Sequence, residues 1–119
     1  MKGSPKRQQA LTDRALTRAL TAACDQALAE IVGFQWLTHR VDYQHFPASL
    51  IVTWVFATEP QRQAAELSRL HALTLAAFDE AGIAVSDICA HVRLDSEQRC
   101  TAQHGGDWAA RLSTRGQHG

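Results

Sequence analysis

The chain has 119 residues, of which 45% are hydrophobic and 20% charged, and its 12 basic residues are balanced by 12 acidic ones. This length suits one domain with its own core, and the composition excludes a disordered or fibrous chain. Because the net charge is zero, strong non-specific binding to nucleic acid would need a local basic patch.

The first half of the chain predicts a helix followed by two strands. Residues 1–9 are polar and are predicted to form a flexible N-terminus, while residues 10–31 carry apolar side chains at helical spacing. Gly33 stands where a left-handed residue ends a helix. Apolar residues alternate with polar ones over 34–43, and the run 50–57 is rich in β-branched and aromatic residues, so both segments are predicted strands.

The second half predicts a long helix and a third strand. Thr58-Glu-Pro-Gln61 has the pattern of a capping box with proline in the first turn, and helical spacing continues to Ala81. Residues 87–94 alternate, which predicts a strand with Cys89, His91 and Arg93 pointing away from the core.

The C-terminal segment predicts two short helical pieces. Asp95 or Ser96 can cap a helix that ends at Gly105-Gly106, and Asp107 can cap a last turn over 108–112. Trp108 is expected to dock on the rest of the domain. Residues 113–119 are predicted to be a disordered tail.

The order α-β-β-α-β-α predicts an α+β fold, a two-layer sandwich formed by residues 10–112. Two long helices would cover one face of a three-stranded sheet, and the C-terminal segment could fold over the other face. The first helix also has a long alanine–leucine stripe that could pair with a second copy, which leaves a homodimer open.

The cysteine count and hydropathy predict a cytoplasmic protein without a membrane partner. Three cysteines, an odd number, argue against a secreted disulfide framework. No apolar stretch approaches the roughly 20 residues of a membrane span, and the polar start lacks a signal-peptide core. The expected compartment is therefore reducing.

The second sheet face is the predicted binding surface of a non-enzymatic module. It carries aromatic and basic side chains suited to a protein or structured RNA partner. The alternative is structural, with the two tryptophans packed together and the arginines solvated. We predict no catalytic residue and no cofactor. The candidate binding residues are Trp36, Arg40, His91, Arg93 and Trp108.

A metal or thiol site is a weaker alternative. Cys89, His91, Cys100 and His104 are ligand types that zinc prefers, and Cys100 and His104 share one side of a helix. No CxxC, HxxxH or HExxH motif accompanies them, and free cysteines are usually small buried hydrophobic residues. We therefore predict no metal.

Three blocks of sequence resemble a known family: GFQWLTH at 33–39, FPASLIVTWVF at 46–56 and HGGDWAARL at 104–112. They are similar to short gammaproteobacterial proteins that are often catalogued as Fis-family transcriptional regulators. The resemblance implies DNA binding, which we keep as an alternative function. It is not the leading prediction because the segment after His104 is too short for a helix-turn-helix, and the predicted strands do not fit an all-helical fold.

Overall fold

The chain adopts an α+β fold in which helices accompany a three-stranded mixed sheet. The computed structural model describes the backbone of residues 5–118 and the side chains of residues 6–113. Its helices and strands follow the chain as α1 (Pro5–Glu30), β1 (Phe34–Arg40), β2 (Ile51–Phe56), α2 (Glu59–Ala64), α3 (Leu67–Glu80), β3 (Val92–Ser96), α4 (Glu97–His104) and α5 (Trp108–His118). Two short 3-10 helices, Tyr43–His45 and Ile88–His91, lie in the connections before β2 and β3.

The sheet has the strand order β1-β2-β3, with β2 in the middle. β1 is antiparallel to β2 and pairs Leu37 with Trp54, whereas β3 is parallel to β2 and pairs Leu94 with the same tryptophan. A parallel pair needs a crossover connection, and α2 and α3 form it. The α+β class and the broad order of elements are thus confirmed.

The core lies on one face of β2, which we call the first face. Trp54 is fully buried there, and its indole Nε1 donates a hydrogen bond to Thr74 Oγ1 at 3.1 Å. A buried indole needs such a partner for its N–H. α1 and α3 supply the helical side of the same core. The main core residues are Leu16, Leu20, Ala23 and Ala27 from α1, Val52, Trp54 and Phe56 from β2, and Leu70, Ala77 and Phe78 from α3.

The predicted capping box is confirmed, but the helix that it starts is short. Thr58 Oγ1 accepts a hydrogen bond from the backbone N–H of Gln61, and the Gln61 side chain accepts one from the backbone N–H of Thr58. The predicted single helix is broken after Ala64 because Ala65 is extended and packs against the core. α3 begins anew at Leu67.

The third strand begins later than predicted, which removes Cys89 and His91 from the strand and corrects the orientation of His91. The Asp87 side chain accepts a hydrogen bond from the backbone N–H of Cys89 at 3.0 Å and caps a 3-10 helix over Ile88–His91. Cys89 and His91 therefore do not belong to the strand, and His91 is buried rather than pointing away from the core. The register instead places Asp95 within β3.

Helix α4 begins and ends as predicted. Ser96 Oγ accepts from the backbone N–H of Arg99, and Gly105 ends the helix in the left-handed region at φ +59°. α1 begins at Pro5 and α5 continues to His118. Both helices therefore extend into the segments that were predicted as a flexible N-terminus and a disordered tail. Residues 1–4 and 119 lie outside the described residues. Among the helices described over 5–118, none has the length and apolarity to cross a bilayer.

Candidate functional site

The strand register sorts the second face of the sheet into three rows. One row runs from Trp36 through Val55 to Asp95, and the next contains Thr38, Thr53 and Arg93. Arg40 and Ile51 pair in the third row. Of the five predicted binding residues, Trp36, Arg40 and Arg93 therefore lie on this face.

The first row is covered by α5. The Trp36 and Trp108 rings meet edge to face, with centroids 4.8 Å apart and planes at 82°. The indole N–H of Trp108 donates to the carboxylate of Glu97, which fixes the ring over the sheet. Val55, beneath, is fully buried. The two tryptophans thus pack against each other, which was the structural alternative for this pair.

A buried ion pair holds α5 on the sheet at the other end of this row. Arg111 Nε and Nη2 donate to the two carboxylate oxygens of Asp95 at 2.6 and 2.9 Å, and both side chains are almost inaccessible to solvent. Arg111 Nη1 also donates to Gln103 Oε1 at 2.7 Å and lies 3.1 Å from His104 Nδ1. The Asp95 carboxylate raises the pKa of Arg111, so the guanidinium stays charged.

Neither member of this pair was a predicted site residue. Asp95 was considered only as a helix cap, and Arg111 sits in a segment that looks like an ordinary polar helix end. A charged residue at a buried position follows no apolar pattern, so periodicity gives no signal for it. A fully buried charge must be paired, and the pair here serves to dock a helix.

The remaining rows leave two arginines accessible. Arg40 and Arg93 are exposed, whereas Thr38 and Ile51 between and beside them are half-buried. Strand spacing places the Cα atoms of the two arginines about 12 Å apart on the same face. The Arg40 guanidinium donates to the backbone carbonyl of Leu112, so the end of α5 lines this open area. We call Thr38, Arg40, Ile51 and Arg93 the open patch.

His91 lies elsewhere and takes no part in the open patch. Its Nδ1 lies 2.7 Å from the backbone carbonyl of Leu50, and its ring meets the Phe78 ring edge to face. Because a carbonyl only accepts, Nδ1 must carry the proton. His91 therefore lies in the core next to the first residues of β2 and β3.

The weak metal candidates do not come together. Cys100 is the buried residue of α4, and Cys89 is exposed beside His71, with its Sγ 3.7 Å from His71 Nδ1. Among the residues described, no group of three or more His, Cys, Asp or Glu side chains could hold a metal ion.

The thiols also lack the environment of an activated nucleophile. Burial raises the pKa of Cys24 and of Cys100. Loss of solvation and the nearby Asp87 carboxylate raise the pKa of Cys89. Reactive cysteines instead have lowered pKa values, because the thiolate is the nucleophile.

A second polar cluster lies at the carboxyl ends of β2 and β3. Arg62 Nε donates to Glu59 Oε2 at 2.8 Å, and Ser96 Oγ donates to the same oxygen at 2.6 Å. The hydrogen bond from Arg62 has the largest effect on Glu59 and lowers its pKa, burial opposes it, and the hydrogen bond from Ser96 lowers the pKa further. These bonds tie α2 to the end of β3, and the donors and acceptors satisfy one another.

Comparisons with known proteins identify no relative of this chain. No protein-family model, no curated protein and no solved structure matches it.

Proposed function

We propose that this chain is a small non-enzymatic binding module whose open patch takes an acidic segment of a partner protein. The exposure of Arg40 and Arg93 on a face that α5 otherwise covers supports this proposal most directly. The proposal keeps the predicted two-layer arrangement, with α1 and α3 on the first face of the sheet.

The chemistry of the open patch suits carboxylates. An arginine fork donates two parallel hydrogen bonds to a carboxylate, and Ile51 offers a half-buried apolar contact between the two arginines. The strands and the docked α5 hold the patch rigid, which lowers the entropic cost of binding. Protein is favoured over single-stranded RNA because Trp36 and Trp108, which would stack on bases, contact each other.

The cytoplasm is the proposed compartment. Cys24, Cys89 and Cys100 are all free thiols. An odd set of unpaired cysteines suits a reducing environment, where disulfides are rare.

The test is a peptide-display selection against the whole chain, followed by affinity measurements with the enriched peptides. We expect enrichment of peptides rich in Asp and Glu. Loss of one charge-assisted contact costs about 1.5–3 kcal/mol, so Arg93→Gln should weaken binding by roughly tenfold or more. Arg69→Gln, which removes an exposed arginine from α3, is the matched control and should keep binding within about twofold.

Two results would contradict the proposal. The first is a selection that returns no acidic peptides, and the second is equal binding of the enriched peptides to wild type and to Arg93→Gln. Far-ultraviolet circular dichroism of each variant checks that the fold is retained. Arg40→Gln serves as a second variant, because Arg40 also donates to Leu112 and its replacement reports on α5 as well.

A further inference from the structure

The end of α1 and the break between α2 and α3 border a cavity of about 580 Å³, which we call the α2–α3 cavity. α2 ends at Ala64, Ala65 is extended, and α3 starts again at Leu67, so the chain departs from a continuous helix at this point. Small-molecule sites have volumes of about 300–1,000 Å³ and are lined mainly by apolar side chains with a few polar groups. The α2–α3 cavity shares no residue with the open patch, so a ligand here is independent of the proposed function.

Most of the lining is apolar. Leu70 is fully buried, whereas Val32 is 83% exposed, so the lining extends from the core to the surface. The other apolar residues that line the cavity are Ile31, Ala64 and Ala65. Because the removal of apolar surface from water is favourable, this lining suits the apolar body of a ligand.

Two acidic residues and one basic residue also line the cavity, which gives the lining a net charge of −1. Arg69 Nη2 donates to both carboxylate oxygens of Glu30 at 2.8 Å, so these two charges neutralise each other. No hydrogen bond or ion pair reaches the Glu66 carboxylate from any side chain that the structure describes, and this carboxylate does not cap α3 although Glu66 holds the N-cap position. Glu66 therefore places one uncompensated negative charge beside the apolar lining.

Other polar groups at the cavity do not replace Glu66 as the acceptor for a cation. The carboxyl end of α1 carries partial negative charge and the amino end of α3 partial positive charge, so the two helix ends offset each other. Gln61 Oε1 already accepts a hydrogen bond from the backbone N–H of Thr58. The Glu66 carboxylate thus decides which sign of ligand charge the cavity favours.

We propose that the α2–α3 cavity binds a small molecule that carries a primary ammonium group on an apolar body, with the ammonium on Glu66. An ammonium donates charge-assisted hydrogen bonds to a carboxylate, and such bonds are stronger than those between neutral groups. A quaternary ammonium fits less well, because aromatic side chains recognise such cations and none lines the cavity. The Glu30–Arg69 ion pair joins α1 to α3 within the lining, which favours a compact ligand over an extended peptide.

The test is a titration of the isotope-labelled full chain with hexylammonium chloride, followed by amide NMR. Hexanol and hexanoate are the matched neutral and anionic ligands. The shifted amides should concentrate in residues 30–33, 61–66 and 69–70. Hexylammonium should bind roughly tenfold more tightly than hexanol, because only the ammonium gains the charge-assisted contact with Glu66. Hexanoate should cause no saturable shift.

Two variants isolate the role of the carboxylate. Glu66→Gln should weaken hexylammonium binding roughly tenfold and leave hexanol binding within about twofold of wild type, because only the charged contact is lost. Glu80→Gln is the matched control, because it removes an exposed carboxylate from the other end of α3. This control should keep hexylammonium binding within about twofold.

Each of the following results would overturn the proposal. The first is the absence of saturable shifts with hexylammonium, or shifts that lie mainly outside the lining. The second is equal affinity for hexylammonium and hexanol, which would show that the charge is not recognised. Tighter binding of hexanoate would assign the cavity to anions through Arg69. Equal weakening by Glu66→Gln and Glu80→Gln would show a general attraction of cations to the protein rather than a site.

Discussion

At the scale of single residues, the buried Asp95–Arg111 pair is one of the contacts that attach α5 to the sheet. A buried ion pair contributes modest net stability, because desolvation opposes the electrostatic attraction. Removing one partner is far more damaging, since the other charge is then left buried and uncompensated. Asp95 and Arg111 form such a pair, because both side chains are almost inaccessible to solvent and are joined by hydrogen bonds of 2.6 and 2.9 Å.

Arg111→Met should therefore destabilise the protein by about 3–5 kcal/mol. Methionine keeps much of the packing of the arginine stem but leaves the Asp95 carboxylate without this guanidinium. Urea unfolding followed by circular dichroism measures the loss. The matched control is Arg69→Met, whose ion pair with Glu30 is about four-tenths exposed on both sides and should cost less than about 1 kcal/mol. Equal losses in the two variants would show that the buried pair has no special role.

Sequence patterns predict individual residues well where the interaction is local. Thr58 with Gln61, and Ser96 with Arg99, form hydrogen bonds over three residues, so their spacing alone identifies them. Arg111 and Asp95 are 16 residues apart, and their pairing depends on where α5 returns to the sheet. His91 was misplaced because a side-chain cap by Asp87 overrides an alternating pattern that also suits a strand.

At the scale of elements, the turn from α1 into β1 depends on one glycine. Gly33 has φ +81°, and a Cβ atom added there would overlap the Gln61 side chain. That side chain also accepts the backbone hydrogen bond that completes the α2 capping box. The conformation of the turn and the start of α2 are therefore linked.

Gly33→Ala should destabilise the protein by about 2–4 kcal/mol, which combines the left-handed backbone penalty with overpacking against Gln61. Gly82→Ala is the matched control, because its φ is +75° but no atom lies within 4 Å of the added Cβ. Gly82→Ala should lower the free energy of unfolding by only about 1–2 kcal/mol, which is the backbone penalty alone. Thermal or urea unfolding compares them, and a Gly33→Ala loss no larger than the control would exclude the steric contact.

The link between α2 and β3 should make stability depend on pH. Because Arg62 and Ser96 lower the folded-state pKa of Glu59, its carboxylate stabilises the fold at pH values above its unfolded-state pKa of about 4.3. That contribution is lost as the pH falls through the folded-state pKa. The stability gap between wild type and Glu59→Gln should therefore be constant near neutral pH and shrink in acid. Urea unfolding between pH 7 and pH 3 measures the gap, and a gap that widens in acid would contradict this assignment.

Element types were predictable, whereas several boundaries were not. β2 was clear because β-branched and aromatic residues fill a short segment between turn residues. The break between α2 and α3 has no glycine or proline to mark it; Ala65 is extended there and packs against the core. β3 begins at Val92 rather than at Asp87 because the residues between them form a 3-10 helix.

At the scale of the whole molecule, the first helix spans much of the long dimension but is packed along only part of its length. The described chain measures 51 × 29 × 22 Å, and α1, with 26 residues, is about 39 Å long. Its buried residues begin at Leu16, and none of the described side chains from Lys6 to Ala15 is buried. Composition predicts none of this, because it does not show where along α1 the contacts with the core begin.

The two halves of α1 should therefore differ in local stability. Backbone amides open at low cost where few apolar contacts hold the helix, and near the global free energy of unfolding where the core does. Hydrogen exchange followed by NMR should show fast exchange over 6–12 and strong protection over 19–27. Asp13→Ala, which removes the acceptor for His39 and Tyr43, should extend fast exchange toward Leu16 without changing the second half. Uniform protection along α1 would mean that its first turns are held by contacts other than those of Asp13.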